Sequence, residues 1–114
     1  MKKDDKIYLG HIFECIELIE KYTKGVSKEK FLYNIPIQNI VIRQLEIIGE
    51  GAKIISSKLR QKYPDVPWSK MAKTRDKLIH HYFDIDLKLA YKISQQDIPK
   101  LKNQIQEILK DRLS

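Results

Sequence analysis

The residues best equipped for chemistry in this chain lie in one run, Arg75-Asp76-Lys77-Leu78-Ile79-His80-His81-Tyr82. An arginine, a histidine and a tyrosine within about two helical turns supply what phosphodiester cleavage of RNA requires. RNA carries its own nucleophile, the 2′-hydroxyl. A protein has only to remove that proton, protonate the leaving oxygen and stabilise the charge on the phosphorane-like transition state. Histidine suits the proton transfers because an imidazole titrates near neutral pH. Arginine suits the phosphate as a permanent charge with a forked set of donors. This chemistry calls for no metal and no cofactor, and the sequence has no acidic or Cys/His cluster at ligand spacing.

Read as one helix, the run poses a geometric problem. Arg75 and Tyr82 are seven apart and fall on nearly the same face, whereas His80 lies about 140° around from Arg75. Either the helix is distorted there or the cleft combines residues from two subunits, as in a twofold homodimer with the paired segments facing each other. Asp76, four before His80, would favour imidazolium and orient the ring in such a helix. Lys73 and Lys77 add positive charge beside it. His81 points elsewhere and is the weaker catalyst. The bland alternatives are a surface His-His pair and an Arg75 that only pairs with Asp65 or Asp76.

The elements around this run are helical by pattern. Leu9, Ile12, Phe13, Ile16, Ile19 and Tyr22 recur at three- and four-residue intervals over about Asp5 to Thr23, with Gly25 as the C-terminal cap. Ser27 suits the N-cap of a short helix through Leu32, broken at Asn34-Ile35-Pro36. A long helix is predicted from Pro36 to about Gln61. Its stripe of Ile37, Ile40, Val41, Leu45, Ile48, Ala52, Ile55 and Leu59 is widened by Ile42, Ile47 and Ile54. A homodimer contact or a fully surrounded central helix would each explain that width. Tyr63-Pro64-Asp65-Val66-Pro67-Trp68 is punctuation, with Trp68 anchoring the corner. Ser69 to about Tyr82 is predicted helical, Asp86 caps a short helix from Leu87 to Ser94, and Asp97 with Pro99 starts the last one. The expected fold is all-α, a mainly antiparallel bundle of about five or six helices, in a single domain spanning 1–114.

Composition narrows the partners. The net charge of +7 on so small a domain favours an anionic partner such as nucleic acid. Lys58, Arg60, Lys62, Lys70, Lys73, Arg75 and Lys77 crowd one stretch, opposed locally by Asp65 and Asp76. Cys15 is the only cysteine, so a disulfide framework is excluded, and its place in the first apolar stripe makes it a buried structural thiol. No apolar run suits a signal peptide or a membrane span, so a cytoplasmic location with no membrane partner is expected.

Several landmarks together carry a resemblance across nearly the whole chain. They are Phe31; Gln38 with Ile42-Arg43-Gln44-Leu45-Glu46-Ile47-Ile48-Gly49-Glu50; Tyr63-Pro64 with Pro67-Trp68; Arg75 to Phe83; and Asp97-Ile98-Pro99 with Leu101. The chain resembles the HEPN superfamily, and within it the HepT-like toxins encoded beside a minimal nucleotidyltransferase (MNT) antitoxin. The family motif of Arg, four residues, His, one residue, Tyr maps onto Arg75, His80 and Tyr82. The resemblance implies a metal-independent endoribonuclease acting as a homodimer, with Arg75 and His80 catalytic. It also implies neutralisation by the MNT partner, which adenylylates the motif tyrosine, here Tyr82. An AMP group there, anionic and bulky, would occupy the phosphate site. One departure is Asp76, where members of the family often carry Asn. Its negative charge could weaken RNA binding. Glu50 is open to a place in either the dimer contact or the cleft.

Two other functions fit the same residues. One is a non-catalytic helical subunit that binds a minimal nucleotidyltransferase through the same apolar faces. The other is a basic DNA-binding module, favoured by charge alone because no helix-turn-helix recognition helix is evident.

Overall fold

A computed structural model of the chain describes residues 2–111; Met1 and residues 112–114 of the expected 1–114 domain lie outside the described residues. The first helix, α1 (Lys3–Thr23), buries Leu9, Ile12, Ile16 and Ile19 completely and Cys15 almost so. Asp4 and Asp5 in its first turn complement the helix dipole. It ends where Gly25 takes φ +72°, a left-handed conformation that costs a glycine little. Ser27 then caps α2 (Lys28–Leu32), its Oγ accepting from the Lys30 N–H.

Helix α3 (Ile35–Ile54) starts with Asn34 Oδ1 accepting from the Ile37 N–H at 3.0 Å and Pro36 in its first turn. Buried Gln38 donates to the Phe31 carbonyl at 2.9 Å and so locks α2 onto the start of α3. α3 lies against α1 with opposite sense, since Ile12 meets Gly51 while Asp5 meets Ser56. A Cβ on Gly51 would stand 2.9 Å from Ile12 Cγ1, so this crossing depends on glycine.

The predicted single helix from Pro36 to Gln61 is in fact two. Ile55 leaves the helical region with ψ 135°, and α4 (Ser57–Lys62) begins after it. The cause is tertiary. The buried Asp5 carboxylate accepts from the Ser56 N–H at 2.9 Å and from its hydroxyl at 2.5 Å, while Ser56 Oγ accepts from the Leu59 N–H. Trp68 anchors the following corner as expected, 6% exposed and donating its indole N–H to the Tyr63 carbonyl at 3.0 Å. It opens α5 (Trp68–Ala72), and after Lys73 comes α6 (Thr74–Leu78).

The helix expected to run on to Tyr82 stops at Leu78. Instead β1 (Ile79–His81) pairs antiparallel with β2 (Asp84–Ile85), Ile79 opposite Ile85 and His81 opposite Asp84, with a bulge between Ile79 and His81. β-branched and aromatic residues favour the pleated strand, and the partly buried Ile79 and Ile85 pack on the core from it. The Asp86 N–H donates to the Leu78 carbonyl at 2.8 Å and closes the hairpin onto the end of α6. Tyr82 and Phe83 form its tip.

Asp86 caps α7 (Leu87–Lys92) as expected, accepting from the Leu89 N–H at 3.0 Å. The break expected before Asp97 does not occur. Helical backbone continues through one π-helical turn, Ile93–Asp97, into α8 (Ile98–Asp111), with the Ile98 N–H bonded to the Ile93 carbonyl five residues back. Pro99 has no N–H to give and its ring crowds the carbonyl four residues earlier; the wider turn accommodates it. Ile98, Leu101, Ile105 and Ile108 of α8 complete the core, and Lys102 bridges to Glu20 of α1 at 2.7 Å. The molecule is an all-α bundle with one small hairpin. No described helix is long and apolar enough to cross a membrane.

Candidate active site at the hairpin and the end of α6

Arg75 is fixed by tertiary packing rather than by its neighbours in sequence. Its Nε forms an ion pair with Glu46 Oε2 on α3 at 3.2 Å, with side chains 61% and 25% exposed. Asp65 and Asp76, the partners of the bland alternative, make no ion pair with it among the described residues. The guanidinium is more than half exposed, and its forked donors are of the kind that binds a phosphate in bidentate fashion. A partly exposed pair of this kind adds about 0–1 kcal/mol to stability.

Gly49 makes that meeting possible. It lies one helical turn beyond Glu46, and a Cβ on it would stand 2.9 Å from the Met71 carbonyl oxygen. Only glycine lets α5 lie this close to α3. α6 follows α5 directly and brings Arg75 down beside Glu46. Met71 and Leu78, both buried, hold the two short helices at either end.

His80 is exposed on β1 and borders a shallow depression with Leu32, Asp84, Asp86 and Lys88. Because α6 ends at Leu78, the helical spacing argument for Asp76 and His80 does not apply. No hydrogen bond joins His80 to Asp76 or to Arg75 among the described residues. His81 turns to the tip, where its ring stacks on Phe83 at 5.7 Å between centroids and 16° between planes. Tyr82 meets Phe83 edge-on at 5.0 Å and is 92% exposed, so its hydroxyl is open to solvent and to any enzyme that would modify it.

The supporting residues divide. Lys73 stands at the joint of α5 and α6, and Lys77 sits on α6 beside Arg75; both are exposed, as is Asp76. Glu50 is exposed and within 3.4 Å of Lys53 on its own helix. Glu46 is the residue that sequence reasoning quoted without giving it a role. The available signal was its position one turn before the Gly-Glu pair on α3. Among the described residues, no three His, Cys, Asp or Glu side chains gather into a group that could hold a metal ion.

The arrangement can hold an anion at Arg75 and offer an imidazole nearby on a hairpin joined directly to the same short helix. Residues 12–108 match a family described as Ribonuclease HepT-like. A Thermococcus cleftensis protein named probable ribonuclease HepT is 44% identical over 110 residues, 96% of this chain and 100% of that protein. A Methanocaldococcus jannaschii protein, named as a gamma-glutamylcyclotransferase and proposed RNase, is 47% identical over 111 residues, which cover 97% of this chain. The chain spans only 50% of the length of that relative. No solved structure gives a significant match.

Proposed function

Because the chain belongs to the HepT-like ribonuclease family of the HEPN superfamily, we propose that it is a metal-independent endoribonuclease with Arg75 and His80 as its catalytic residues. The observation that supports this reading is an exposed arginine held in an ion pair with Glu46, on a short helix that leads directly into the strand carrying the exposed His80. In the proposed reaction His80 takes the proton of the RNA 2′-hydroxyl, and that oxygen bonds to the adjacent phosphorus. The P–O5′ bond breaks and a proton is returned to the leaving oxygen, giving a 2′,3′-cyclic phosphate and a 5′-hydroxyl. Arg75 stabilises the charge that builds on the non-bridging oxygens. Lys73 and Lys77 draw the RNA backbone toward the site.

The reading extends to the biological setting. The chain acts as the cytoplasmic toxin of a toxin–antitoxin pair and works as a homodimer, the second copy completing each cleft. A minimal nucleotidyltransferase neutralises it. The Tyr82 oxygen attacks the α-phosphorus of ATP, pyrophosphate leaves, and the attached AMP blocks the phosphate site beside Arg75. The exposure of the Tyr82 hydroxyl supports this step. Expression in a host cell separates this reading from a non-catalytic subunit. Wild type arrests growth, whereas Arg75→Ala and His80→Ala relieve the arrest while remaining dimeric. Arrest that persists in both variants would favour the partner-subunit function.

A further inference from the structure

The catalytic reading leaves one exposed feature of the hairpin without a role. Phe83 sits at the tip 75% exposed, where a large apolar ring does nothing for the core. The His81 ring lies nearly parallel to it, offset at 5.7 Å between centroids, and Tyr82 meets it edge-on, so three rings are arranged before any ligand arrives. The hairpin that carries them is clamped at its base by the Asp86 N–H to Leu78 carbonyl bond. The flanking helix presents Arg75 and Lys77, with Lys73 just before it, all exposed.

We infer that the His81–Phe83 stack is a shelf on which an unpaired RNA base lies, positioning the strand for cleavage next to Arg75 and His80. A parallel pair of rings extends naturally to a third, and bases offer a π-face whatever their identity. The exposed cations that precede the hairpin in the chain, Lys73, Arg75 and Lys77, favour a phosphate-linked ring over an uncharged aromatic partner. Base stacking also selects single-stranded over duplex RNA, whose bases already stack on each other. The inference rests on the ribonuclease reading and supplies its substrate preference.

The test uses the full chain and short fluorescently labelled single-stranded oligoribonucleotides. Binding is measured by anisotropy in the His80→Ala background, and cleavage is measured separately with His80 intact. Phe83→Ala is expected to weaken binding about tenfold and to raise KM with kcat little changed, while Phe83→Trp keeps both near wild type. An oligonucleotide with an abasic site at the stacked position should lose most of its sensitivity to Phe83→Ala. Equal binding by Phe83→Ala and its parent, in protein that still cleaves RNA, overturns the shelf and leaves the ribonuclease intact. A fall in sedimentation mass in Phe83→Ala, with RNA affinity unchanged, would assign the ring to a contact between copies instead. Absence of both binding and cleavage in the wild type would overturn the ribonuclease reading and the shelf with it.

Discussion

Arg75 on α6 and Glu46 on α3 meet at 3.2 Å through the guanidinium Nε, so a residue from the second half of the chain is paired with one from the first. The pair is too exposed to matter much for stability. In the proposed reaction its value is to hold the guanidinium in place for the phosphate.

Glu46→Gln should therefore lower kcat for RNA cleavage by about tenfold, roughly the 1.4 kcal/mol of a misaimed charge-assisted contact, with thermal stability nearly unchanged. Glu46→Asp should recover part of the loss. An unchanged kcat in both variants would remove Glu46 from the positioning of Arg75. Arg75→Lys, which keeps the charge but lacks the fork, should remain severely impaired.

Gly49→Ala should damage both fold and activity. Its new Cβ would lie 2.9 Å from the Met71 carbonyl, a backbone atom that cannot rotate away, so α5 must shift. A loss of about 1–3 kcal/mol is expected from overpacking of this kind, read by denaturant unfolding. Activity should fall further than the unfolded fraction accounts for, because α6 and Arg75 move with α5. Wild-type stability in this variant would show that the close approach is not needed.

Asp5→Ala removes the acceptor for the Ser56 N–H and hydroxyl and leaves the joint between α3 and α4 unsecured. Loss of a charge-assisted interaction at a buried carboxylate should cost about 1.5–3 kcal/mol. Hydrogen exchange would check the location, with protection expected to fall first around Ser56 and the start of α4.

Burial pushes the Cys15 thiol above its ordinary value of 9.0, helped by Glu14 and opposed by Arg43. A thiol whose folded value is raised contributes stability that is fully present below the unfolded value. That contribution is lost as pH rises through the folded value. Stability should thus decline above about pH 9 more steeply in wild type than in Cys15→Ala. Alkylation of Cys15 at pH 8 should be slow in the native protein and fast in denaturant; rapid native labelling would contradict the buried environment.

Much of the fold was legible in the residues themselves. The Leu9–Ile12–Ile16–Ile19 stripe, the Ser27 and Asp86 caps, Gly25 and the Trp68 corner act locally, and local chemistry is what a sequence displays. The break at Ser56 was hidden because the carboxylate that secures it, Asp5, lies 51 residues away. The hairpin was hidden for a different reason. Ile79–His81 is too short to show a strand period, and its residues extend a helical pattern from α6 just as well. In sequence Pro99 reads as the mark of a helix start, whereas a π-helical turn carries the helix past it. At the site, the motif residues could be named but their geometry could not. The hairpin changed the direction of His80 and Tyr82, and Arg75 found its carboxylate across the bundle rather than beside it.

The most direct measurement is cleavage of a defined single-stranded RNA by the purified protein in EDTA, beside Arg75→Ala, His80→Ala and the same RNA with a 2′-deoxy substitution at the cleaved position. The account predicts cleavage by wild type alone, products ending in a 2′,3′-cyclic phosphate, and no cut at the deoxy position. Equal cleavage by the variants, or cleavage next to the deoxy sugar, would contradict attack by the 2′-hydroxyl under Arg75 and His80.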